Sequence, residues 1–597
     1  MYAALSICQD VCLPATLCAG ELVRDGLPDA ALFSLADMAR KTLEEQRGGP
    51  AANPSRPASG DPLSLPCGVR VIYLENGRIV SDGWSNQANL LQNARLAAMR
   101  ALNVKAPAKE APVACLVEVT LPAKPLGKNG FFAAKKLDTG RQGMHITLGE
   151  KDVWLYASDF LVKGRSVSSL TEDACSSLGA KPQDVVDERL KFEVYDAAMA
   201  LSLPDAPPVR LYRGGKLFDI SQLDRAAVDA ALTRARQWYV ANRQEDGAFP
   251  YVYHPQSDEA KDDDDSQVRR LFNLAALGML YKANKDAEIR DFGSKALDLV
   301  LKDYADDVQK PWGYIKDGEN VRLGSAAAAL LAIIRLDLLE TKGRQAERLA
   351  AFIEGMRQED GSYSTFFLPY GKQGSEDYYP GEAQLALMEW YAARKDAWAI
   401  TGVSKSLDFY RTYFGKSMSM PMIPWHTQAY VKLHRVKPSP TLADFIFRMN
   451  DLLVSAQQRG RDIPEDCRGQ IVNPQKRGGN AHVSGTGVYV EGLADALALA
   501  RELGDSARID RYRTALIWAM RNLIQFQIKD GCDTWCMPNS AKAVGGFRST
   551  LENADIRIDN MQHCVCALLK ARAVLADADY RDIAEAEARD KKQAAAK

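Results

Sequence analysis

The sequence predicts a mainly α protein, a closed (α/α)6 toroid of six helical hairpins preceded by a smaller α+β domain. Three observations predict it. From Ser221 to about Ala576 the pattern is almost wholly helical, and two kinds of helix alternate. One kind is amphipathic with charged faces, over 221–242, 286–303, 344–357, 396–413, 440–458 and 505–527. The other is rich in Ala, Gly and Leu and starts near Asp265, Val321, Pro380, Pro424, Gly485 and Arg557. Six such pairs close a ring with apolar helices inside and amphipathic ones outside. The third observation is an echo, Arg243-Gln-Glu-Asp-Gly-Ala-Phe and Arg357-Gln-Glu-Asp-Gly-Ser-Tyr, with a weaker copy at Gln527-Ile-Lys-Asp-Gly. Each copy falls at the end of an amphipathic helix, and Gly247 and Gly361 are placed as C-caps.

Length and charge bound the rest. A chain of 597 residues exceeds one ordinary core. Its 76 basic and 77 acidic residues leave a net charge of −1, which argues for neither nucleic acid nor an anionic membrane as partner. No apolar run approaches the ~18 residues of a membrane span. Asp10 interrupts residues 1–20, and no basic segment precedes them, so they make a poor signal peptide. The 11 cysteines are odd in number and scattered, which fits reduced thiols and favours the cytoplasm. A misassigned start codon would leave the periplasm open.

In chain order, residues 1–66 read as an N-terminal extension with one helical pattern, Ala30 to Leu43, and a Gly/Pro/Ser linker. Residues 67–212 read as the α+β domain. Its strands are Val69–Leu74, Cys115–Leu121 and Phe192–Tyr195, its helices run over 86–102 and 169–178, and a hairpin turns at Gly149. The toroid occupies 221–576, and the charged tail 577–597 is expected to fray. Over roughly 85–200 the α+β domain resembles the AMMECR family. The elements that carry the resemblance are Gly143-Met-His-Ile-Thr-Leu, Val153-Trp-Leu-Tyr, Ala174-Cys-Ser-Ser-Leu-Gly-Ala and Phe192-Glu-Val-Tyr. The family's Leu-Arg-Gly-Cys-Ile-Gly signature is absent, and Lys124-Pro-Leu-Gly-Lys stands near its place, so no residue role is carried over.

In a toroid the segments that lead into the inner helices gather at one end. They bring Tyr251, His254 and the run Asp262 to Asp265; Tyr314; Tyr378, Tyr379 and Glu382; Trp425 and His426; Arg477 and His482; and Arg557, Asp559 and His563. A concave mouth of aromatic, carboxylate and basic groups suits a saccharide, whose C–H faces lie on rings while its hydroxyls take polar groups. Arg557 and His482 would additionally suit a uronate carboxylate. Four of the six histidines, His254, His426, His482 and His563, are expected to share this cavity. Gly485-Thr-Gly487 is expected to let backbone pass close to a neighbour.

The helical region resembles the six-hairpin glycosidase superfamily, and its Gln-x-x-Gly-x-aromatic echo is similar to one in terpenoid-cyclase toroids. The first resemblance implies glycoside hydrolysis, lyase action or epimerisation, and no cofactor or metal is expected. Such acid–base work needs two carboxylates, or a carboxylate and a histidine, across the mouth. Glu382 and Asp559 are the first candidates, then His426 and His563, with Tyr251, Tyr314, Tyr378, Tyr379, Trp425, His482 and Arg557 binding substrate. Glu382 lies in the first turn after Pro380, where the helix dipole lowers a carboxyl pKa and favours a base or nucleophile. A non-catalytic saccharide-binding or assembly scaffold is the competing class. A minor alternative starts from Trp535-Cys536 and His563-Cys564. Lanthionine-synthetase cyclases, also toroids, hold zinc through Trp-Cys and Cys-His-Gly elements, but here the second element is reversed.

Overall fold

The computed structural model describes residues 27–49, 67–87, 89–127, 130–134, 136–262, 265–460, 462–475 and 482–595. Stretch 1–26, linker 50–66, Asp263, Asp264 and Arg477 lie outside the described residues.

The α+β part is an antiparallel sheet of β1 (Gly68–Glu75), β2 (Arg78–Ser85), β3 (Val113–Thr120), β4 (Gln142–Leu148), β5 (Lys151–Leu155), β6 (Leu190–Ser202) and β7 (Val209–Leu211). Its order is β2-β1-β3-β6-β4-β5, with β7 on β6. Strand β6 is much longer than the Phe192–Tyr195 read from the sequence, because its first half pairs with β4 and its second half with β3.

Side chains alternate across a strand, and β1 uses both faces. Val69, Val71 and Tyr73 pack under α1 (Asp29–Gln46) and α2 (Leu90–Val104), where Leu32, Leu35, Ala97 and Ala101 complete one core. Ile72 and Leu74 point the other way, onto Trp535 and Cys536 of the helical region. The same junction carries Arg213, buried between Asp466 and Asp138, and a 2.8 Å bond from Trp535 Nε1 to the Gly214 carbonyl. A further helix, α3 (Val167–Ser177), packs on β5.

The helical region is a closed ring. Its inner helices are α5 (Gln267–Asn284), α7 (Leu323–Arg335), α9 (Tyr379–Arg394), α11 (Ile423–Val436), α13 (Val483–Leu503) and α15 (Ile558–Val574). Each packs on the next, and α15 packs back on α5. Outside them lie α4 (Arg225–Asn242), α6 (Ala287–Val300), α8 (Leu339–Gly355), α10 (Ala397–Ser417), α12 (Pro440–Ser455) and α14 (Ser506–Phe526). Inner helices pass to outer ones through two- or three-residue turns, so each outer helix lies antiparallel to the inner helix before it. The first outer helix, α4, therefore has no preceding partner, and it packs on the last inner helix, α15. That pairing of the two chain ends closes the ring.

The tail, expected to fray, is helical where it is described. Residues 577–595 form α16 (Asp577–Ala595) along this seam, with Tyr580 buried, Asp579 accepting from Arg501 and Arg513, and Arg225 reaching Asp577.

The echoed glycines are not C-caps, since α4 and α8 end several residues earlier. Gly247 and Gly361 sit at φ of 94° and 91° in tight turns closed by Gln244 N→Ala248 O and Gln358 N→Ser362 O. Each turn abuts the next outer helix, Gly247 at Ala296 and Gly361 at Lys405.

Other glycines set the spacing of the inner ring. A Cβ on Gly278 would stand 2.6 Å from Arg335, on Gly381 2.6 Å from Trp425, on Gly492 2.7 Å from Pro424, and on Gly487 2.9 Å from His563. Gly485 has nothing within 4 Å, so only the second glycine of Gly485-Thr-Gly487 makes the expected close approach. Gly492→Ala should therefore destabilise by about 1–3 kcal/mol through overpacking. Gly485→Ala should be neutral or stabilise by about 0.5–1 kcal/mol, because it only relieves helix-interior glycine entropy. Urea denaturation of the two variants checks the contrast.

Candidate active site

The N-termini of the six inner helices open at one end of the ring, where the longer connections also collect. Two small sheets brace these connections. One pairs β8 (Val252–His254) with β9 (Glu259–Lys261) and β14 (Ile556–Arg557), and the other joins β10 (Tyr304–Asp306), β11 (Gly313–Asp317), β12 (Asn320–Arg322) and β13 (Phe366–Leu368). Strand β14 pins the sixth connection to the first, and the Ile558 amide donates to the Tyr251 carbonyl.

Glu382 sits in the first turn of α9, behind Tyr378 and Pro380. It is 5% exposed, its Oε2 has no hydrogen-bond partner among the described residues, and a Cβ at Gly324 of α7 would stand 2.9 Å from that oxygen. Burial without a cationic partner raises its pKa to about 8. The sequence reading from the helix dipole gave the opposite sign. Partial charges on helix N–H groups are outweighed here by loss of hydration. Glu382 is a proton donor near neutral pH.

Asp559, in the first turn of α15, is equally buried but charged. Burial works against the charge, and the fork of Arg557, at 2.5 and 2.7 Å, outweighs it with help from Arg269 and His563. Its pKa lies below the usual range. Helices α9 and α15 stand three places apart in the ring of six, so the two carboxyl groups project from opposite walls.

His563 joins them on α15. Its Nδ1 lies 2.8 Å from Glu491 Oε1 of α13, a carboxylate that is itself buried, and its ring lies 6.0 Å from Trp425. His482, which caps α13, is held to a pKa of about 4 by burial and by Arg557, against the opposing pull of Asp559. It is neutral, and so supplies no positive charge to a ligand. Arg557 supplies little either, because two of its donors are taken by Asp559.

The other candidates divide. Tyr378 is 40% exposed at the lip, and Tyr379 lies against Gly324. Tyr251 is buried with its hydroxyl accepting from Arg269 Nη1 at 2.5 Å, so it braces the mouth and offers no ring face. Trp425 is also buried, tilted on Phe272 at 4.8 Å. Tyr314 packs on Phe352 and Phe367 toward the outer layer, away from the other mouth residues.

His426 corrects the expectation of four converging histidines. It is wholly buried in the wall, 4.8 Å from Tyr410 of α10, with Nδ1 donating to the Met422 carbonyl. Burial lowers its pKa to about 4. The α11 turn that places Trp425 at the axis necessarily rotates the next residue about 100° into the wall. His254 pairs with Asp555 at 2.7 Å on the rim.

The zinc alternative also separates in space. Cys536 packs against the sheet domain, while His563 faces Glu491. Among the described residues no group of three His, Cys, Asp or Glu side chains is arranged to hold a metal ion. No helix of the described residues is long and apolar enough to cross a membrane.

Sequence reasoning missed Arg269, in the first turn of α5, and the role of Glu491 as the partner of His563. The signal for Glu491 was a charged residue inside the apolar run of an inner helix, and for Arg269 a basic residue in an inner helix's first turn.

Ring and mouth together define an (α/α)6 toroid that carries a smaller sheet-containing domain. No protein-family model matches the sequence, and no curated protein matches it. Among solved structures, the chain is similar to the GH76A alpha-1,6-mannanase of Salegentibacter, at 12% identity over 59% of this chain and 100% of that one, with a TM-score of 0.42. It is similar to a D-mannose isomerase at 11% identity over 60% and 99% of the two chains, with a TM-score of 0.45. An uncharacterized protein from Pyrococcus horikoshii matches 31% of this chain and 98% of its own at 19% identity, with a TM-score of 0.28.

Proposed function

We propose that the protein is a carbohydrate-active enzyme whose substrate enters the mouth of the toroid. One observation carries the reading: two buried carboxyl groups on opposite inner helices are pushed in opposite directions, Glu382 up to about 8 and Asp559 down. Environments that separate two carboxyl pKa values divide the work of acid and base between them. In glycoside hydrolysis Glu382 would protonate the leaving-group oxygen, and Asp559 would hold charge on the opposite side of the sugar. The ligand is proposed to carry a carboxylate, as in a uronate, because the Arg269 guanidinium stands part-exposed in the mouth beside Asp559.

A second reading has its own observation. The Glu491 carboxylate orients His563 through Nδ1, which frees Nε2 for proton transfer at a sugar carbon, as epimerisation or lyase action requires. Incubation with acidic and neutral oligosaccharides separates these reactions. New reducing ends mark hydrolysis, an ultraviolet-absorbing unsaturated sugar marks a lyase, and deuterium uptake from D2O without cleavage marks epimerisation. Hydrolysis lost in Glu382→Gln but kept in His563→Gln is the expected outcome. Binding without turnover of any substrate would leave the scaffold reading.

A further inference from the structure

Three arginines around the mouth are matched by carboxylates. Arg557 is closed on Asp559 and Arg322 on Asp317, while Arg270 is held by Asp262, Asp265 and the Phe249 carbonyl. His482 is neutral and Glu382 is protonated near neutral pH, so neither changes the sum.

Arg269 differs from these three. Its Nη1 donates to the uncharged Tyr251 hydroxyl. Its Nε stands 3.6 Å from Asp559 Oδ2, beyond hydrogen-bond distance, and both oxygens of that carboxylate already accept from Arg557. Among the described residues its Nη2 has no partner. The side chain is 43% exposed, and its charge is felt at Tyr378 and Tyr379 of α9, at His482 and at Asp559 of α15. The guanidinium thus stands between Tyr251 of the first connection and Asp559 of α15.

We infer that Arg269 selects a saccharide bearing a carboxylate over its neutral counterpart, an inference that rests on the saccharide reading above. A planar guanidinium with a free edge matches a planar carboxylate in shape and in charge. A single carboxylate can take the free edge of the guanidinium, whereas a phosphate monoester would bring nearly two negative charges beside Asp559. The tyrosines beside it supply hydroxyls for the same ligand without changing the balance.

The test is calorimetric binding of oligouronides with three different sugar backbones, each beside its carboxyl methyl ester and a matching sugar phosphate. The proteins are wild type, Arg269→Gln and Arg269→Lys. Wild type should bind one acid about 10- to 100-fold tighter than its ester, the worth of a charge-assisted bond. Arg269→Gln should erase that difference while binding the ester as wild type does. Arg269→Lys should restore part of it, keeping charge but losing the fork. Equal binding of acid and ester by wild type would overturn the inference. So would an equal loss of both ligands in Arg269→Gln, which would make Arg269 a brace for Asp559. Tighter binding of the sugar phosphate would overturn the choice of carboxylate. Failure of every saccharide to bind would instead remove the saccharide reading itself, and this inference with it.

Discussion

Glu382→Gln should lower turnover by about 10²- to 10⁴-fold, the usual worth of a general acid, while its folded state survives. The amide keeps the shape of the protonated carboxyl and removes only the transferable proton. Activity of the wild type should fall as pH rises through about 8, where Glu382 loses that proton. Stability carries a second signature. A carboxyl raised in the folded state contributes stability that is complete below its ordinary value near 4.5 and is lost as pH rises through about 8. Across that window wild type should lose up to roughly 1.4 kcal/mol per pH unit relative to Glu382→Gln. The variant should therefore be the more stable protein at pH 8 and the less active one at every pH. Full turnover in Glu382→Gln would end the acid assignment and leave Asp559 and His563 as the groups to change. Asp360→Asn is the control, because Asp360 only accepts the Ser362 amide in the echoed turn and lies on no inner helix.

The other large effect lies deeper along the ring. Arg335 at the end of α7 donates to both oxygens of Glu389 of α9, at 3.1 and 2.8 Å, and both residues are nearly excluded from water. Burial opposes the charge on Glu389, but Arg335 and Lys432 hold its pKa down to about 2. Glu389→Ala would leave the Arg335 guanidinium buried without its partner, at a cost of about 3–5 kcal/mol. Replacing both, Arg335→Met with Glu389→Leu, should recover most of that, because the desolvation penalty disappears together with the attraction. Urea unfolding of the single and double variants measures the difference. A double variant as unstable as the single one would show that the pair is needed for packing beyond its charges. In wild type this contribution is present above the ordinary carboxyl value and is lost as pH falls through about 2, so the ring should hold together in moderate acid.

Much of this was legible in the chain. The alternation of Ala/Gly/Leu-rich helices with charged amphipathic ones gave the number of hairpins, and each inner helix begins within a few residues of its expected start. Burial explains why: an inner helix touches neighbours on every side, so it has no polar face, and this is visible without coordinates. The position of Glu382 and Asp559 near the starts of inner helices was readable for the same reason. Their protonation was not. The two carboxyls have nearly the same local context, first turn and apolar helix behind, yet one is neutral and the other charged. The difference is Arg557 beside Asp559, while among the described residues no cation pairs with Glu382.

Rotation about the helix axis was likewise invisible. Trp425 and His426 are adjacent in sequence, and only the packing of α11 between α9 and α13 turns one toward the mouth and the other toward Tyr410. The tail was misread for a related reason, since its charged residues 577–587 look solvent-bound until Arg501, Arg513 and Arg468 are brought to them from elsewhere in the chain. By itself the sequence determined the helices, their two classes and the end of the ring at which chemistry-bearing residues gather, because hydrophobic periodicity and helix starts are local properties. Only the tertiary structure decided which of those residues face one another, which are charged, and that Arg269 keeps a free edge. Burial and the distance between charges belong to contacts between remote segments, and those set the pKa values.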